Sequence, residues 1–110
     1  MSEDAIVPPI IVDDSGDIEI YPSEVATLMD LEAIDVNDGV YDVFDSRGYR
    51  LKLRTEGYDV YIDGPESDKP QVAELSRRLR AYISRLETTP VGIVNPDKMA
   101  LSELVHALTL

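Results

Sequence analysis

The sequence predicts an α+β domain, a three- to four-stranded antiparallel meander packed on one face by two or three helices. Three observations carry this expectation. Between Val40 and Ile62 three short alternating segments are separated by glycine-bearing turns; from Val72 onward apolar residues recur at helical spacing; and 110 residues suffice for one core. Folding a chain of this length buries roughly 65% of the surface its unfolded form exposes, which is the burial of one domain.

Taken in order, residues 1–9 read as a flexible acidic tail that ends in Pro8-Pro9, a pair that fits neither a helix interior nor a sheet ladder. Residues 10–110 form the single domain. Ile10-Ile11-Val12 and the alternating Asp17-Ile18-Glu19-Ile20-Tyr21 flank the turn Asp13-Asp14-Ser15-Gly16, the pattern of a hairpin or an edge strand. Ser23 then offers a helix cap, with Glu24 in the positive first turn. Val25, Leu28, Met29 and Leu31 are expected to line the buried side of a helix that runs to about Ala33, with Asn37-Asp38-Gly39 as the closing turn.

Val40–Asp45, Tyr49–Thr55 and Tyr58–Ile62 are the meander strands, turned by Ser46-Arg47-Gly48 and Glu56-Gly57. Those loops place Val43 opposite Leu51, Tyr41 opposite Leu53, Leu53 opposite Val60 and Leu51 opposite Ile62, all on one face. The other face receives Asp42 opposite Lys52 and Arg54 opposite Asp59, beside Phe44, Arg50 and Tyr61. Asp63-Gly64-Pro65 ends the meander. A long helix follows, with Asp68 as its cap, Pro70 in its first turn and Val72, Leu75, Leu79, Tyr82, Ile83 and Leu86 inward. Arg77, Arg78, Arg80 and Arg85 read as its solvated side, or as an internal counterpart to the acidic half. Past a linker with Pro90 and Gly92, Pro96-Asp97 opens a last helix bearing Met99, Leu101, Leu104, Val105 and Leu108, which docks on the domain or on a second copy.

The chain carries a net charge of −12, beyond the magnitude of about 2 to 8 that serves solubility in a small domain. Residues 1–45 hold thirteen acids and no Lys or Arg, whereas the remainder holds nine acids and ten bases. This asymmetry points to a basic protein partner, steered and held by Asp13, Asp14, Asp17, Glu19, Asp30, Glu32, Asp35 and Asp38. It speaks against nucleic acid, whose phosphates such a surface repels, and the bases at Arg50, Lys52 and Arg54 read as an ion-paired solvent face rather than an RNA-binding sheet.

Catalytic and metal chemistry find little support. There is no cysteine, which removes disulfides, thiolate ligands and cysteine nucleophiles and fits a reducing, cytoplasmic setting. His106 is the one histidine, so no multi-histidine metal site or Ser/His/Asp triad with a second imidazole can be assembled. Asp13, Ser15, Asp17 and Glu24 fall at calcium-loop positions, but Ile18 stands where such a loop requires glycine. Carboxylates are abundant without one being marked as buried. The expectation is a non-catalytic domain with no cofactor and no metal, and no apolar run approaches the roughly 20 residues of a membrane span.

The stretch Val36–Leu51 contains D-G-x-Y-x-x-F-D-x-x-G-x-x-L, from Asp38 through Tyr41, Phe44, Asp45 and Gly48 to Leu51. With the segment from Asp17 to Leu53, about a third of the chain, it resembles small acidic bacterial immunity proteins that partner secreted polymorphic toxins. The resemblance implies stoichiometric inhibition, an acidic surface covering a basic toxin or enzyme cleft, and assigns no functional residues. The alternative is a homo-oligomeric accessory or regulatory domain, in the simplest case a homodimer, that uses the C-terminal helix around Leu101, Leu104 and Leu108 as its interface.

Overall fold

A central strand that is apolar on both sides organises the molecule. In the computed structural model, which describes residues 6–109, Ile10, Ile11 and Val12 are almost completely buried. They belong to β1 (Ile10–Asp14), which lies between β2 (Asp17–Tyr21) and β3 (Tyr41–Phe44) in an antiparallel sheet of order β2-β1-β3. A strand covered on both faces reads as a continuous apolar run, as this one does. The α+β class with antiparallel strands holds.

The β1–β2 hairpin turns at Ser15-Gly16, with Asp14 paired to Asp17 and Ile10 to Tyr21. The residues at calcium-loop spacing are therefore strand and turn. Ser23 caps α1 (Glu24–Asp30) as expected, its hydroxyl accepting from the Ala26 amide at 3.1 Å. Helix α1 stops at Leu31, whose backbone is extended, and a separate short α2 (Ala33–Asn37) follows. The expected inward stripe is only partly observed. Thr27 and Leu31 are buried and Leu28 half-buried, whereas Val25 and Met29 face outward.

Strand pairing departs from the simple meander. β3 pairs with β1, with Val43 opposite Val12 and Asp42 opposite Asp13, so Val43 and Tyr41 are not opposite Leu51 and Leu53. A bridge between Phe44 and Arg50 joins β3 to the hairpin of β4 (Leu51–Glu56) and β5 (Asp59–Pro65). That hairpin turns at Gly57-Tyr58, one residue later than expected. Leu53 therefore faces Ile62, Val60 faces Thr55, and Arg54 faces Tyr61 rather than Asp59. A bulge between Lys52 and Leu53 carries the pairing on to Leu51 and Pro65, so Asp63-Gly64-Pro65 extends the strand instead of ending it.

The slip equals two residues and preserves the side on which each residue lies. Tyr41, Val43, Leu51, Leu53, Val60 and Ile62 all still reach one apolar cluster, together with Ile10, Val12, Leu28, Leu31, Ala33 and Val36. That cluster fills the space between one face of the three-stranded sheet, the β4–β5 hairpin and the two short helices.

The opposite face of the sheet presents Ile11, Ile18 and Phe44 to α3 (Val72–Arg85) and α4 (Leu101–Thr109). Leu75, Leu79 and Ile83 of α3 and Leu101, Leu104, Val105 and Ala107 of α4 close this second cluster, with Ile93 entering from the linker. Helix α3 begins at Val72 behind Gln71, which makes no side-chain cap hydrogen bond, so Asp68 is not its cap and Pro70 precedes its first turn. Pro96–Lys98 forms a short 3-10 turn before α4, whose Pro96 and Met99 carbonyls accept from Arg80 at 2.8 and 2.9 Å. Leu101 and Leu104 are consumed by the chain's own core and Leu108 packs against it, so the last helix docks on its own domain.

The expected tail lies, for residues 1–5, outside the described residues. From Ile6 the chain is anchored: Ile6 packs on the first cluster, and Val7 donates to Asp45 and accepts from the Ser46 amide at 3.0 Å and hydroxyl at 2.9 Å. Among the described residues, no helix is long and apolar enough to cross a membrane.

Candidate partner-binding surface

Asp13 is not part of the open acidic surface. It is 8% exposed, accepts the Gly16 amide at 2.7 Å and pairs with Arg78 of α3 at 3.0 Å. Asp42, its cross-strand neighbour, pairs with the same guanidinium at 2.6 Å and with Arg50. The helix arginine expected at the solvated side thus fills the internal role. Burial opposes its charge, but hydrogen bonds with Asp42 and Glu74 overcome that cost and hold its pKa above the ordinary arginine value. Arg85 likewise turns back and donates to the Gly16 carbonyl.

Asp45 is also withdrawn, being fully buried. Its carboxylate accepts the amides of Val7, Arg47 and Tyr49 at 3.2, 2.9 and 3.1 Å, and the Arg47 guanidinium at 2.8 Å. These acids are structural because each offsets an otherwise unmet donor or cation in the interior.

The remaining expected residues stay outside. Asp14 and Asp17 sit opposite one another at the hairpin tip, and Glu19 stands two residues along the edge strand β2. Glu32 and Asp38 flank α2, both exposed. Asp30 accepts the Tyr21 hydroxyl and Asp35 accepts the Tyr41 hydroxyl at 3.2 Å.

The two tyrosines show which acids share a neighbourhood. Burial, then the Asp30 hydrogen bond and charge, then Glu19 and Tyr41, push the Tyr21 phenol well above its usual range. Tyr41 is raised by burial first, with Asp35 and Asp14 adding to it while the Glu32 backbone acts in the opposite sense. Tyr41 is also the cross-strand neighbour of Asp14. Asp30 and Glu19 thus act on Tyr21 of β2, and Asp35 and Asp14 on Tyr41 of β3, on the two outer strands of the sheet. Among the described residues, none of Asp14, Asp17, Glu19, Asp30, Glu32, Asp35 and Asp38 enters an ion pair.

The basic residues on the β4–β5 hairpin are mostly engaged. Arg54 pairs with Glu56 and Asp63 rather than Asp59 and stacks over Tyr61 at 4.5 Å, and Arg50 takes Asp42, which had been matched to Lys52. Phe44 is not on a solvent face at all, being buried beneath Arg78 at 5.3 Å.

Exposed apolar residues were not anticipated at this surface. Val25, Met29 and Ile34 emerge among the acids of α1 and α2 at 68%, 83% and 66% exposure. The helix ends at Asp30 rather than near Ala33, and its inward side is taken by Thr27 and Leu28, with Leu31 just past its end.

Among the described residues, no group of His, Asp and Glu side chains is arranged to hold a metal ion. Two open grooves, of about 590 and 580 Å³, border α4 and Pro9; His106 lines the first, and among the described residues neither is lined by an Asp or Glu. Comparison with family models, with curated proteins and with solved structures gives no match.

Proposed function

We propose that this domain is a non-catalytic protein-binding module of the immunity type, which neutralises a basic toxin or enzyme by covering its active site with an acidic surface. One observation carries the reading. Asp13, Asp42 and Asp45 pair with arginines, and yet, among the described residues, Asp14, Asp17, Glu19, Asp30, Glu32, Asp35 and Asp38 enter no ion pair.

Such a surface raises the encounter rate with a positive partner and contributes charged hydrogen bonds once docked. The binding role also fits the placement, because Asp14, Asp17, Glu19, Glu32 and Asp38 are exposed side chains outside both apolar clusters. The resemblance of Val36–Leu51 to immunity proteins supports the inhibitory form of the reading.

The test is capture by the full chain from its native host, beside a variant with Asp14, Asp17, Glu19, Glu32 and Asp38 changed to Asn or Gln. The expected result is a basic protein retained by the parent and lost by the variant. Its affinity falls steeply with salt, and its activity is titrated to zero at one equivalent. A neutral or acidic partner, or binding indifferent to salt, overturns the proposal.

A further inference from the structure

Val25 and Met29 lie four residues apart on α1 and so share one side of the helix. The other side carries Thr27 and Leu28 toward the core, and Leu31 completes the contact. Ile34 is the second residue of α2, whose Ala33 and Val36 pack on that same inner cluster. Both helices thus spend their inward positions on one core and still present large apolar side chains outward.

Single exposed apolar residues are ordinary. Three within ten residues, in a segment where Asp30, Glu32 and Asp38 are exposed and no Lys or Arg occurs, have the composition of an interface centre with a charged rim.

We infer that the outer side of α1 and α2 docks into an apolar cleft of a partner protein, framed by that partner's basic side chains. This rests on the binding role proposed above and names the chemistry of its partner. Charge selects the occupant. A second copy would set acid against acid, and an anionic membrane or a nucleic acid would be repelled in the same way. Met29 supplies an adaptable anchor for a cleft, because its unbranched thioether fits irregular apolar shapes.

The experiment uses the full chain and two synthetic helical peptides of equal positive charge, one of Leu and Lys with an apolar side, the other of Lys and Ser without one. Backbone amide NMR titration locates the contact. The Leu/Lys peptide is expected to shift Val25, Met29 and Ile34 and to bind roughly tenfold tighter than the Lys/Ser peptide. The double variant Met29→Ser, Ile34→Ser is expected to lose that tenfold with an unchanged melting temperature, since neither side chain is buried.

Equal affinity of the two peptides, or shifts confined to Asp14–Glu19, overturns the inference while leaving an acidic binding surface in place. Absence of any binding by the Leu/Lys peptide also overturns it, as does a dimer in sedimentation that the double variant dissolves. So does binding to zwitterionic vesicles that the double variant abolishes.

Discussion

Arg78 of α3 stands 3.0 Å from Asp13 on β1 and 2.6 Å from Asp42 on β3, two carboxylates that are direct cross-strand neighbours. Like charges opposite one another destabilise a sheet unless a cation lies between them. Here one guanidinium, 16% exposed and placed over the Phe44 ring, serves both and also holds Glu74 at 2.7 Å. Part of the acidity of the N-terminal half is therefore the means by which α3 is tied to the sheet.

Arg78→Met is accordingly expected to destabilise the fold by about 2–4 kcal/mol, because it takes the guanidinium from the buried Asp13 and leaves Asp42 with Arg50. The loss stays below that of a fully buried pair, since Asp42 retains 31% exposure. Adding Asp13→Asn and Asp42→Asn to the Met variant should recover part of it. Urea unfolding of these variants, the parent and the Asp13→Asn, Asp42→Asn protein that keeps Arg78 closes the cycle. A loss below about 0.5 kcal/mol would place the pair among ordinary surface contacts.

Local chemistry made several elements readable. Ser15-Gly16 between an apolar run and an alternating segment, Ser23 before Glu24 and the spacing of Leu75, Leu79 and Ile83 each specify their own neighbourhood. The pairing of β3 with β1 is of another kind. It joins residues about thirty apart in the chain, and nothing in the spacing of Tyr41–Phe44 distinguishes Val12 from Leu51 as a neighbour.

Leu53, Val60 and Ile62 nonetheless keep the expected side, because parity survives the two-residue slip of the β4–β5 hairpin, whereas Phe44, expected on a solvent face, is buried against α3 and α4. The candidate surface was legible to a similar degree. Composition located the acids, but only the fold separates Asp13 and Asp45, which meet interior donors, from Asp14 and Asp17, which do not. The residues that carry the immunity-protein resemblance include Phe44, Asp45, Gly48 and Leu51, all buried and all employed in building the β3–β4 loop.

Asp45 is the centre of that loop. Three amides and one guanidinium converge on a carboxylate with no exposure, and they tie residue 7 to the turn between β3 and β4. Asp45→Ala should cost about 3 kcal/mol or more, and Asp45→Asn somewhat less, since the amide retains one accepting oxygen but turns a donor toward donors. Hydrogen exchange should show early loss of protection at Val7, Arg47 and Tyr49 in both variants. Unchanged exchange at those amides would contradict the assignment.

Gly48 illustrates a backbone constraint in the same loop. Its φ is +95°, and an added Cβ would lie 3.2 Å from the Val72 amide nitrogen and 3.3 Å from the Gln71 carbonyl carbon, where α3 begins. The Gly48 carbonyl also accepts the Gln71 amide at 2.7 Å. Gly48→Ala is expected to destabilise by about 1–3 kcal/mol through strained backbone and contact with atoms that cannot move aside. Gly39, with φ +72° and no atom near a built Cβ, is the control. Gly39→Asn should change the melting midpoint far less, because Asn tolerates the left-handed region.

Glu74 gives the acid-side expectation. Hydrogen bonds from Arg77 and Arg78 hold its carboxyl down to about 2, below the ordinary 4.5. A depressed folded value means that the unfolded chain binds the proton first as pH falls. The contribution is complete above about 4.5 and is lost on descending to about 2. Carbon-detected NMR of the Glu74 carboxyl should show that low midpoint, and Arg77→Ala should raise it. A midpoint near 4.5 in the parent protein would remove the interaction from the folded state.

Tyr21 and Tyr41 give the alkaline counterpart and probe the candidate surface directly. Burial raises both phenols, and the acids around them add to it, Asp30 and Glu19 at Tyr21 and Asp35 and Asp14 at Tyr41. Above pH 10 the unfolded chain releases these protons while the native chain retains them. The stabilisation is therefore complete below about 10 and declines as pH rises toward the folded values. Tyrosinate absorbance should show a late-titrating component that Tyr21→Phe removes. Asp30→Asn should bring that component down toward pH 10 without reaching it, because burial, the larger cause, remains. If Asp30→Asn leaves it unmoved, Asp30 does not act on Tyr21, and the placement of that carboxylate against the phenol is refuted.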